Sequence, residues 1–164
     1  MNQPLFDLNL SRVTREHYIT GKAAINFPFP GVTTGGWHFM SYWNRDFGVC
    51  KVSLAGIHFA DTTSFLGDAG IVDATQLLAE RGWHADGKTV WMADHFRAAA
   101  DMVIKWALSD SQHCSVEISD WFPSGEDRQR FLDLLSTGMA ELRSMSKSDK
   151  VSAWLSTQGG QPQA

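Results

Sequence analysis

The chain has 164 residues, of which 43% are hydrophobic and 20% charged, and its formal net charge is −4. Those values suit one globular domain. The acidic balance argues against nucleic acid as a partner, because a general nucleic-acid binder carries a basic face. No run comes near the roughly 18 apolar residues that a membrane helix needs. The first residues, Met1 to Asp7, have neither the basic nor the apolar stretch of a secretory leader. The expectation is a soluble, cytoplasmic protein without a membrane partner.

Along the chain, residues 11–18 read as a short helix closed by Gly21, which suits the left-handed position after a helix. Pro28 and Pro30 alternate with Phe27 and Phe29, predicting an extended loop or edge segment over 25–31. A hairpin over 37–57 is the clearest strand pair. Trp37, Phe39 and Trp43 share one face of its first strand, with His38, Met40 and Tyr42 opposite, and Arg45 lies in the loop that ends at Gly48. In its second strand Cys50, Val52 and Leu54 alternate with Lys51, Ser53 and Ala55.

Asp68 is expected to cap a helix that carries Ile71, Ala74 and Leu78 and stops at Gly82. A short strand follows near 89–92. Asp94 then opens the most regular helix, with Phe96, Ala99, Val103 and Trp106 on a buried face. Arg97, Asp101 and Lys105 form an i,i+4 charge ladder on the other face. Another strand is expected near 114–118, and Ser124 to Asp127 resembles a capping box. Phe131, Leu134, Leu135, Met139 and Leu142 continue as an apolar stripe. A last helix over 148–155 buries Val151, Trp154 and Leu155, and a tail over 158–164 is expected to be disordered. This order of elements predicts α+β: one domain over 1–157, with a small antiparallel or mixed sheet against four to five helices.

Chemistry-bearing motifs are sparse. There is no dinucleotide-binding glycine pattern and no nucleophile elbow. His58, Asp61 and Asp68 supply the imidazole and carboxylates that a divalent metal takes, and support a metal-assisted hydrolase as the alternative reading. The same residues also suit plain turns and a helix cap. Cys114 reads as a packed thiol. Among the seven tryptophans, Trp83, Trp91, Trp106, Trp121 and Trp154 fall at core positions. The hairpin differs, since bulky side chains occupy both of its faces. With the Trp face claimed by the core, His38, Met40, Tyr42 and Arg45 are left as candidate contact residues for another protein. The leading expectation is therefore a small binding or regulatory protein, an inhibitor or accessory subunit, that needs no cofactor.

Overall fold

The structure, a computed structural model, describes residues 10, 12–30, 43, 52–85 and 87–158. Four short strands make up its sheet: β1 (Ile19–Thr20), β2 (Ser53–Leu54), β3 (Ile71–Asp73) and β4 (Trp91–Ala93). They lie in the order β2-β1-β4-β3. β1 is antiparallel to β2 and parallel to β4, while β3 is antiparallel to β4, so the sheet is mixed. The helices among the described residues are α1 (Lys22–Ile25), α2 (Thr63–Leu66), α3 (Thr75–Ala79), α4 (His95–Ala107), α5 (Ile118–Trp121), α6 (Gly125–Ser136), α7 (Met139–Ser144) and α8 (Ser148–Thr157). The fold is α+β in one domain. Its helices outnumber the expected four to five because α1, α2 and α5 have only 4 residues each. One turn of helix leaves no periodic signal to read.

Several local expectations are corrected. Residues 11–18 do not form the expected helix: Thr14 accepts the His17 amide in a turn, at 3.0 Å, and the chain then enters β1. Of the loop expected over 25–31, Ile25 instead ends α1, while residues 26–30 form a loop that holds both prolines. Asp68 caps no helix. Gly67 and Gly70 both take positive φ, of 63° and 80°, and turn the chain into β3. Asp73 then accepts the Thr75 amide at 3.0 Å and starts α3 there. The expected strand near 114–118 is extended but pairs with no strand among the described residues, and α5 begins at Ile118. Among the described residues no helix is long and apolar enough to cross a membrane.

α4 organises the interior. Asp94 caps it, accepting from the Arg97 amide at 2.8 Å, and Phe96, Ala99 and Val103 are buried as expected. Ser124 likewise caps α6 by accepting the Asp127 amide at 3.0 Å. Phe122 joins the two helices, with ring centroids 5.2 Å from Phe96 and 5.1 Å from Phe131. The charge ladder departs from expectation. Lys105 is exposed, but Arg97 and Asp101 are both 0% exposed, because α4 is covered on nearly every side from His95 to Ile104.

These two charges are held by a closed set of partners. Arg97 Nε donates to Asp101 Oδ1 at 3.0 Å, and Nη1 donates to the carbonyls of Gly67 and Ala69, each at 2.7 Å. Nη2 donates to Thr62 Oγ1 at 3.1 Å. Asp101 Oδ1 also accepts the Thr62 hydroxyl, and Oδ2 accepts Tyr18 and Thr20, each at 2.7 Å. The carboxylate is thus saturated by one guanidinium and three hydroxyls, which is what a buried charge requires. Burial and the Asp101 carboxylate both push the Tyr18 phenol upward, so it remains a donor. Gly70 has to be glycine here: a Cβ would lie 2.5 Å from Arg97 Cβ. The network therefore ties β1, α2 and the 67–70 turn to the buried face of α4.

Candidate functional site

With its inner face committed to this network, α4 has its last turns free to form a surface. Met102, Lys105 and Trp106 project from it into a groove of about 390 Å³. Trp106, Trp91 and Trp121 are half-buried and packed against the core, and Trp83 and Trp154 are buried as expected. Two other walls come from the sheet end. α1 supplies Lys22 and the edge strand β2 supplies Ser53. Beyond β2 the chain turns at Gly56, whose φ is 76°, and returns Phe59 to form a bridge with Ala55. Phe59 thereby reaches the groove, with the Lys105 ammonium 4.4 Å from its ring centroid.

The remaining wall is the segment 109–117, irregular backbone between α4 and α5. Ser109, Ser111, His113 and Ser115 all line the groove, one residue in two. Gln112, His113, Cys114 and Glu117 also line a second cavity of about 450 Å³. From His113 to Ile118 exposure strictly alternates. That period of two is what predicts a strand, and here it sends Cys114, Val116 and Ile118 into the core. Lys150 of α8 fixes the start of this wall. Its ammonium donates to the carbonyls of Trp106 at 3.0 Å and Ser109 at 2.8 Å, and sits 4.6 Å from the Trp106 ring centroid.

Charge distinguishes the groove from the rest of this acidic chain. Lys22 and Lys105 line it, and among the described residues no acidic side chain does. The ion pairs among the described residues are Arg15–Asp68 and Arg97–Asp101, so neither groove lysine is neutralised by a carboxylate there. Four serine hydroxyls and an imidazole complete a polar rim over the apolar floor of Phe59, Met102 and Trp106. Such a mixture of apolar floor and few convergent polar groups is the usual make-up of a ligand site.

In comparison with known proteins, no family model, no curated protein and no solved structure matches this chain.

The residues singled out from sequence lie elsewhere. His38, Met40, Tyr42 and Arg45 are outside the described residues, as is Cys50. Of that hairpin, Trp43 and residues 52–57 are described: Trp43 is helical rather than in a strand and buried, its indole donating to the Ala23 carbonyl at 2.8 Å, and β2 pairs with β1. His58 accepts the Leu54 amide at 3.1 Å, Asp61 accepts the Thr63 amide at 3.0 Å, and Asp68 pairs with Arg15 at 3.3 Å. The Thr63 amide and hydroxyl also hold the Asp61 carboxyl below the usual range. Each of the three is engaged locally, and no group of three His, Cys, Asp or Glu side chains suited to a metal forms among the described residues.

Burial pushes the Cys114 thiol up, which keeps it protonated and poorly nucleophilic. One further sequence pattern needs its context. Gly82, Gly87, Lys88 and Thr89 carry the spacing of a nucleotide phosphate loop. That loop works by running from a strand into a helix N-terminus. Here the segment runs the other way, from α3 into β4, so the spacing does not build a phosphate cradle.

Sequence reading missed the groove because its members are scattered from Lys22 to Ser115 and belong to no motif. The one local signal was the serine-rich stretch from Ser109 to Ser115, polar at every position but Cys114.

Proposed function

We propose that this chain is a small binding protein that holds an acidic ligand in the groove over α4. The observation that carries the reading is the pair of carboxylate-free lysines, Lys22 and Lys105, above a floor of Phe59, Met102 and Trp106. An opposite charge about 4 Å from an ammonium gains about 1 kcal/mol in bulk water and about 4 kcal/mol at the effective dielectric of a protein surface. The floor adds roughly 25 cal/mol for each Å² of apolar ligand surface removed from water. Together the two contributions select an anion with an apolar body. The reading keeps the class expected from sequence, binding rather than turnover, and rests it on described residues. The buried ionisable pair supports it as well: Arg97 and Asp101 are consumed in holding α4 and offer a substrate nothing.

The test is a titration followed by NMR at the Met102 methyl and the Trp106 indole. Two probes cover the two kinds of acidic ligand, adenosine 5′-monophosphate and hexaglutamate. Saturable shifts centred on those two residues are expected with at least one probe. They should vanish in the Lys22→Glu, Lys105→Glu double variant, whose melting temperature should change little because both side chains are exposed. Silence from both probes would end the binding reading at this groove.

A further inference from the structure

Resting on that reading, we infer that the ligand is a phosphate monoester carried on a planar aromatic body, a molecule of mononucleotide size. The first argument is charge. Two ammonium groups, Lys22 and Lys105, line one small groove without a carboxylate there to balance them. A phosphate monoester brings about 1.5–2 negative charges at neutral pH, and a single carboxylate about one. The phosphate is therefore the better match to the pair.

The second argument is hydrogen bonding. A phosphate offers three strong acceptor oxygens. Ser53 and Ser115 bring hydroxyls to the groove, while the Ser109 and Ser111 hydroxyls there already donate to the carbonyls of Trp106 at 2.7 Å and His113 at 3.2 Å. Hydroxyls are donors and acceptors at once, so those not engaged by phosphate can meet the hydroxyls of a sugar.

Shape supplies the third argument. The floor offers two aromatic side chains, Phe59 and Trp106, beside the pliable Met102. Flat aromatic surfaces of that kind stack a base, and methionine fills the irregular space beside it. The volume of about 390 Å³ is that of a site for one small molecule. An acidic peptide would run its charges along an extended chain at about 3.3 Å per residue. The groove concentrates its cations beside aromatic rings instead, which favours a compact anion.

The same chemistry exists free in solution and at the 5′ end of a nucleic-acid strand. The net charge of −4 favours the free form, because strand binding draws on many phosphates.

The experiment is calorimetric titration of the full chain with five probes: adenosine 5′-monophosphate, adenosine, inorganic phosphate, a 5′-phosphorylated trinucleotide and hexaglutamate. The monophosphate should bind at least about tenfold more tightly than adenosine or phosphate alone. Lys105→Ala and, independently, Lys22→Ala should lower that affinity about tenfold while leaving adenosine binding nearly unchanged. Ser53→Ala and Ser115→Ala should each lower it a few-fold. Melting curves of each variant establish that the fold is intact. Tighter binding of the monophosphate than of the trinucleotide assigns the free ligand, the reverse order assigns a strand end, and both uphold the shared chemistry. Adenosine binding as tightly as its monophosphate would overturn the role of the phosphate. Binding of hexaglutamate alone would overturn the ligand class and leave the binding reading standing. No binding by any probe would remove both.

Discussion

Arg97 carries a permanent charge and five N–H donors into a place with no exposed surface. Its charge is tolerated because Asp101 neutralises it and because carbonyls and a hydroxyl absorb the other donors. Removing one partner strands the other, so Arg97→Ala should cost about 3–5 kcal/mol in urea melts. A double-mutant cycle with Asp101→Ala should give a coupling of about 1–3 kcal/mol. Strict additivity of the two losses would mean that they do not share one network. His95, two positions before Arg97, is a second buried group but is held neutral. Its Nε2 donates to the Phe27 carbonyl, while Nδ1 has no partner among the described residues. Burial lowers its pKa from 6.5 to about 4. Between those values the unfolded chain binds a proton that the folded chain refuses, so this contribution falls as the pH drops from 6.5 toward 4. Asp94 opposes the trend, since burial raises its carboxyl and favours the folded state in acid. Comparing wild type with His95→Gln isolates the histidine: the variant should lose about 3 kcal/mol of acid sensitivity across that window. Parallel pH profiles for the two proteins would refute the assignment.

At the scale of elements, α4 and the segment after it supply most of the groove's lining. Lys150 joins α8 to both, donating to the carbonyls at the end of α4 and the start of the 109–117 wall. Lys150→Met keeps the apolar stem but deletes those bonds. It should cost about 1 kcal/mol and speed amide exchange over 109–115 without affecting α6. Unchanged exchange there would show that the wall stands without the lysine. The caps of α4 and α6, the apolar stripes of α6 and α8, and the α+β class itself were legible, since each is written in local spacing. The polarity of α4 was not. An i,i+4 Arg–Asp pair has the same spacing whether it faces water or a carboxylate's buried partners, and Tyr18, Thr20 and Thr62 are remote in sequence. The clue available was the run Ala98-Ala99-Ala100, which makes the helix apolar on more than one side. The wall misled in the other direction: alternation at 113–118 is real, but only a neighbouring strand could have made it β structure. For the groove, no spacing rule links Lys22, Phe59 and Lys105.

For the whole molecule, the decisive fact is that β1 lies inside the sheet, between β2 and β4. Its residues Ile19 and Thr20 are both 0% exposed, and Tyr18 and Thr20 donate to Asp101 from the same stretch. A chain shortened to begin at Lys22 should therefore show no cooperative thermal transition by circular dichroism, although all eight described helices remain encoded. A sharp melt from that fragment would show that β2 and β4 can close the gap alone. Placing an early strand beside a late one also sets the order of events at the ribosome. Ile19 pairs with Met92, and at synthesis rates of about 5–20 residues per second the wait for that partner is ~4–15 s. Throughout that interval Tyr18 and Ile19 are emerged apolar chain without a seat, and Asp101, the acceptor for Tyr18 and Thr20, arrives later still. The nascent protein is thus most exposed to chaperones and to aggregation before its middle third is complete.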